Sequence, residues 1–135
     1  MVLINAISSL IFISNCGVAY SKKQFIFLAI SFGLLVSSVI FHLNDKNYCL
    51  FLIDKVMVYS IIVYGWYYVW LKRKTIAQNI ELHIVGCFCA FTCFVMYTYG
   101  YYTKSLCYHP EFGYWYHSIM HGFSSLCHHC IQQLV

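Results

Sequence analysis

Residues 24–43 read QFIFLAISFGLLVSSVIFHL, a stretch without one Asp, Glu, Lys or Arg. A helix of about 20 apolar residues reaches across the hydrocarbon core of a bilayer. Backbone polar groups at that depth must bond within their own segment, as an α-helix allows. This stretch therefore predicts an all-α integral membrane protein. Working outward, residues 2–20, 48–71, 80–102 and 113–134 read the same way, so the expected architecture is a bundle of about five spans. The connectors are short and polar: Ser21-Lys22-Lys23, Asn44-Asp45-Lys46-Asn47, Lys72 to Asn79, and Thr103 to Phe112. Segment 113–134 is polar for a span, since it carries His117, His121, His128 and His129.

The whole chain agrees with that stretch. Of 135 residues, 61% are apolar and 9% charged, with eight Lys/Arg against four Asp/Glu. Mean hydropathy is +0.70. Soluble domains carry about 25% charged residues. The composition excludes a disordered chain, a coiled coil and a basic nucleic-acid module. The single proline, Pro110, marks no linker, so residues 1–135 read as one transmembrane domain.

Lys22, Lys23, Lys72, Arg73 and Lys74 fall on one face, whereas Lys46 and Lys104 on the other have Asp45 and Glu111 beside them. The positive-inside rule places the first face in the cytosol. The N-terminus is then exoplasmic or luminal and the C-terminus cytosolic. The first segment lacks the basic start of a cleaved signal peptide, so it reads as a retained span. Tyr64, Trp66, Tyr67, Tyr68 and Trp70 read as an interfacial aromatic anchor. Cys87, Cys89 and Cys93 lie inside an apolar run and read as buried thiols, while a Cys49–Cys107 bridge is possible because both lie near span ends on one face. Gly33, Gly86, Gly100 and Gly122 read as close-packing points between helices. No Gly-rich phosphate loop or nucleophile elbow occurs.

Span direction then brings ionisable residues together. His42 ends one span, Asp54 begins the next, and His117 and His121 begin the last, all toward the exoplasmic face. Ionisable groups inside a span are costly, and the default reading is functional. His117 and His121 are spaced i, i+4 and share a helix face, as do Ser38 and His42. Three His without a fourth strong ligand is the pattern of a catalytic zinc with an open position for water. Asp54 is placed to take a proton from that water and Ser38 to hydrogen-bond it or an oxyanion. The bland alternative for Asp54 is a helix-terminal carboxylate paired with Lys55. His83 and His109 read as interfacial and solvated. Cys127-His128-His129-Cys130 reads as the frayed cytosolic end of the last span, with a soft-metal pair at Cys127 and Cys130 as the rival reading.

Ser38-x-x-x-His42, Asp54 and His117-x-x-x-His121, in that order, resemble the CREST superfamily of multi-span membrane hydrolases. That group includes alkaline ceramidases, progestin and adipoQ receptors and the lipid-remodelling hydrolases of GPI-anchored proteins. The transmembrane protein 8 and myomaker branch is the nearer likeness. Ser8-Ser9-Leu10-Ile11-Phe12 and Tyr20-Ser21-Lys22-Lys23-Gln24-Phe25 are similar to its first span and basic turn. His42-Leu43-Asn44-Asp45, Cys49 to Asp54, and Tyr114 to His121 resemble its later segments. The resemblance covers about half the chain. It implies a seven-span fold here reduced by two spans, one zinc ion on His42, His117 and His121, and Ser38 and Asp54 beside it.

The expected function is a zinc-dependent intramembrane lipid hydrolase that cleaves an acyl ester or amide with metal-activated water. The rival from another class is a non-catalytic membrane-remodelling or fusion-type protein with a structural zinc. A bis-His haem protein is a third reading that leaves Ser38 and Asp54 without a role. The expected partners are a membrane lipid substrate and, optionally, a second copy of the chain, with no nucleic acid.

Overall fold

The computed structural model describes residues 2–134; Met1 and Val135 lie outside them. Among the described residues the regular structure is helical throughout. The first span is α1 (Val2–Ser9) and α2 (Phe12–Ser21), followed by α3 (Phe25–Leu43) and α4 (Tyr48–Leu71). A 3₁₀ segment, Arg73–Asn79, leads into α5 (Ile80–Phe94), a π turn (Val95–Tyr99) and α6 (Gly100–Thr103). A short 3₁₀ turn, Leu106–Tyr108, precedes α7 (Gly113–Gln133).

Four helical stretches are long and apolar enough to cross a membrane: Leu3–Ser21, Phe25–Leu43, Tyr48–Leu71 and Arg73–Thr103. The fifth expected span, α7, is a helix of 21 residues but falls outside that set. Its His, Ser, Cys and Gln side chains lower its hydropathy, and they are the groups the bundle encloses. His121, Ser125, His128, Cys130 and Gln132 are all buried. The expectation of a frayed C-terminal end is therefore corrected.

The bundle has its polarity reversed relative to a water-soluble protein. Ser9, Asn15, Ser31, Ser37, Ser38, His42 and Asp54 are buried, whereas Phe25, Phe32, Val63, Phe88 and Phe94 are exposed. Lipid solvates apolar side chains as well as a core does, so buried polar pairs supply much of the specificity of helix association. The packing order is α4, α3, the α1–α2 pair, α7, α5, with the far end of α4 also reaching α7. An apolar nucleus of Phe12, Ala19, Phe27, Leu34 and Ile61 joins the first three spans. The aromatic cluster divides between two faces. Tyr64 and Tyr68 turn inward, edge-on to Phe27 at 4.7 and 5.3 Å. Trp66, Tyr67 and Trp70 point outward.

Polar bonds lock α7 against the first span. Asn15 Nδ2 donates to the Ser125 carbonyl at 3.0 Å, and Ser125 Oγ donates back to Asn15 Oδ1 at 2.7 Å. Gln132 Nε2 donates to the Asn15 carbonyl at 3.3 Å. The first span is broken between Ser9 and Phe12. Ser8 Oγ and Ser9 Oγ both bond back to the Asn5 carbonyl, at 2.9 and 2.8 Å. Such back-bonding bends helices.

The α6–α7 loop folds tightly over the bundle end. A Cβ at Gly100 would lie 2.6 Å from the Ser105 carbonyl oxygen, and one at Gly113 would lie 2.8 Å from that of Cys107. Gly86 also packs closely, with Cys130 Cβ 3.5 Å from where its own Cβ would stand. Gly122 faces open space, which corrects its reading as a packing point. Cys49 and Cys107 are both free thiols, and Cys107 instead faces Met120 Sδ at 3.9 Å.

Candidate metal centre

His42 stands in the last turn of α3, while His117 and His121 are one turn apart near the start of α7. Both helices present these residues inward, so the imidazoles meet. Ring centroids are 5.0 Å apart for His42–His117, 5.4 Å for His42–His121 and 4.7 Å for His117–His121. One ring nitrogen of each lies within 4.8 Å of the others. His42 and His121 are buried and His117 is half-buried.

Sequence reasoning missed Ser8, whose Oγ lies 2.7 Å from His121 Nδ1. Its one hydroxyl proton is already donated to the Asn5 carbonyl. With the Ser8 proton on the Asn5 carbonyl, Ser8 accepts from His121 Nδ1–H and the Nε2 lone pair is free. Metal-binding imidazoles are oriented by such a bond on their far nitrogen. The signal in the sequence was weak, because a Ser in the first span has no periodic partner on α7. Asn5 also ties the same region of α7, accepting from Ser118 Oγ at 3.1 Å.

Asp54 is buried in the second turn of α4. It meets α3 at Ser37 and Ser38, one turn before His42. Ser37 Oγ donates to Asp54 Oδ1 at 3.3 Å, and Ser38 is its neighbour on the same turn of α3. Ser38 is also touched by Ser9 Oγ, 3.2 Å away. The sequence reading named Ser38 and missed Ser37 and Ser9. The bland pairing of Asp54 with Lys55 is replaced by another arrangement. Lys55 Nζ stands 4.9 Å over the Tyr97 ring and 5.3 Å over that of Phe51. Tyr97 belongs to the π turn, a local insertion often found at functional sites.

His109 is a structural residue of the loop. Its Nδ1 accepts from the backbone N–H groups of Glu111 and Phe112, both at 3.1 Å, and so fixes the chain entering α7. In the same loop burial pushes the Cys107 thiol up to about 11.

Three imidazoles within reach of one another, none bonded to a carboxylate, could hold one metal ion and leave a fourth position open. No protein-family model, curated protein or solved structure matches this chain.

Proposed function

We propose that the protein is an intramembrane lipid hydrolase that cleaves an acyl ester or amide with a zinc ion held by His42, His117 and His121. The convergence of these three imidazoles from two helices, within 4.8 Å of one another, carries the reading. A bound zinc ion would acidify a water molecule and polarise a carbonyl. The remaining work falls to the chain's own residues. Asp54, steadied by Ser37, takes the water's proton and returns it to the leaving group. Ser38, between Ser9 and Asp54, orients the reacting oxygen or donates to the developing oxyanion. Ser8 holds the His121 ring. Lys55 adds positive potential at the same depth, which favours an anionic lipid headgroup. The lysine and arginine distribution supports a site toward the exoplasmic face with a cytosolic C-terminus.

The test is elemental analysis of detergent-purified protein beside His117→Ala, followed by release of fatty acid from phospholipid, acyl-inositol and ceramide substrates. About one zinc ion per chain, lost in the variant, with hydrolysis abolished by Asp54→Asn, supports the reading. A folded protein with zinc whose Asp54→Asn variant behaves as wild type makes the ion a structural staple and the chain a membrane-remodelling protein. A folded protein without zinc overturns both.

A further inference from the structure

The bundle is open along one side. Helices α4 and α5 each pack on α7 and scarcely touch one another. Between them runs a slot walled by Ile62, Trp66 and Val69 of α4 and by Leu82, Gly86 and Ala90 of α5, with α7 as its floor. No Asp, Glu, Lys or Arg lines it. Ile62, Trp66 and Ala90 are exposed although they stand in its walls, so the slot faces sideways toward lipid. Lys55 lies two turns before Ile62 and shares its face of α4. At that end of the slot Lys55 Nζ reaches across to the π turn and stands 4.9 Å over the Tyr97 ring.

The Lys55 end is level with the metal centre. Cys93 Sγ is 3.6 Å from the Met120 carbonyl oxygen and Cys127 Sγ is 3.4 Å from that of Gly86, so α5 and α7 run antiparallel in a fixed register. Tyr97, one turn beyond Cys93, therefore stands level with Tyr116, the neighbour of His117. Lys55 also lacks an anion. Among the described residues no ion pair joins it, and Asp54 is turned to Ser37 of α3. An ammonium inside a span without a counter-ion is costly, and aromatic faces offset only part of that cost.

We propose that the slot between α4 and α5 seats a phospholipid, with one acyl chain along the apolar walls and the phosphate on Lys55. From Lys55 to Val69 the helix rises about 21 Å at 1.5 Å per residue. That exceeds the roughly 15 Å of hydrocarbon in one leaflet, so an acyl chain fits lengthwise. A neutral lipid such as diacylglycerol or ceramide fills the walls but leaves the ammonium unpaired. Free phosphate does the reverse. In a phospholipid the ester carbonyl lies a few atoms from the phosphate, so Lys55 holds that carbonyl near the height of the three imidazoles. Calling this lipid the substrate rests on the hydrolase reading, and it then favours a phosphate-bearing ester over ceramide. The seat itself needs no metal.

Lipid retained by the detergent-purified full chain, read by native mass spectrometry, tests the seat. Dipalmitoyl phosphatidylglycerol should be held one per chain, at least about tenfold more tightly than dipalmitoylglycerol or palmitoyl ceramide. Millimolar inorganic phosphate should not displace it. Lys55→Gln should erase the preference, whereas Lys55→Arg and the loop control Lys46→Gln should keep it. Ala90→Trp fills the slot from an exposed wall position and should weaken retention of all three lipids about tenfold. His117→Ala should bind phosphatidylglycerol as wild type does while losing zinc, so a failed metal centre and a failed seat are told apart. Equal retention of the three lipids by folded wild type overturns the seat, as does an unchanged preference in Lys55→Gln. Displacement by inorganic phosphate overturns it in favour of a free-anion site. A dimer cross-linked through the exposed Cys87 that excludes lipid overturns it in favour of a second copy. If Lys55→Gln does not fold, the wild-type preference and Ala90→Trp decide.

Discussion

Along the first half of α7, His121 is buried and held by Ser8 at 2.7 Å. Along the second half, His128 is buried to the same degree and its Nδ1 has no partner. Phe12 touches both rings, at 5.6 and 6.3 Å between centroids, so the two histidines flank one side chain of the first span. They differ in what the first span offers. Above Phe12, the break in the helix aims Ser8 and Ser9 inward. Below it, Asn15 serves the backbone and side chain of Ser125 and the amide of Gln132, leaving nothing for His128. A buried imidazole is thus either set in one tautomer or left as an open donor or acceptor, and a neighbouring hydroxyl decides which.

The largest effect expected at the first half is from His117→Ala. Removing one of three ligands should take bound zinc from about one ion per chain to none in elemental analysis, and hydrolysis with it. Asp54→Asn keeps the shape and removes the base, so hydrolysis should fall about 10²- to 10⁴-fold with metal content unchanged. Equal loss of metal in that variant would show that Asp54 acts on folding instead. Ser8→Ala should lower metal affinity about 10- to 100-fold, measured by chelator competition, because the His121 ring loses its orienting bond. Ser8→Thr, which keeps the hydroxyl, should recover most of it.

Two smaller changes probe the second half and the frame. Asn15→Ala leaves the hydroxyl and carbonyl of Ser125 without their side-chain partner, while Gln132 keeps the backbone carbonyl of residue 15, and should cost about 1–2 kcal/mol in reversible unfolding in detergent. Gly122→Ala meets nothing within 4 Å, so its stability should change by less than about 0.5 kcal/mol. A large loss there would show that lipid or a second chain packs against that face. In the loop, the raised Cys107 thiol should alkylate slowly at pH 8 and faster as pH climbs toward about 11, because only the thiolate attacks.

Much of the fold was readable without coordinates. Apolar runs near bilayer length and polar connectors marked the four apolar helices, and α4 begins and ends where the sequence placed it, at Tyr48 and Leu71. The shared level of His42, His117 and His121 followed from span direction alone, since antiparallel helices bring these ends together, whereas their contact came from packing. Their i, i+4 spacing put the last two on one face. The role of α7 was harder to read, because its polar residues argued for a frayed end and only packing shows them enclosed.

The sequence by itself determined which segments are apolar enough to span a membrane and which segment ends carry the ionisable groups, because both depend on segment length, hydropathy and order along the chain. Only the tertiary structure decided which side chains touch. It joined Ser8 to His121 and Asn15 to Ser125, across more than a hundred residues of chain in each case. It put Ser37 on Asp54. The physical reason is that hydrogen bonds and metal ligation depend on the rotation of each helix about its axis. That rotation is set by packing against neighbours, and hydropathy and segment order carry no information about it.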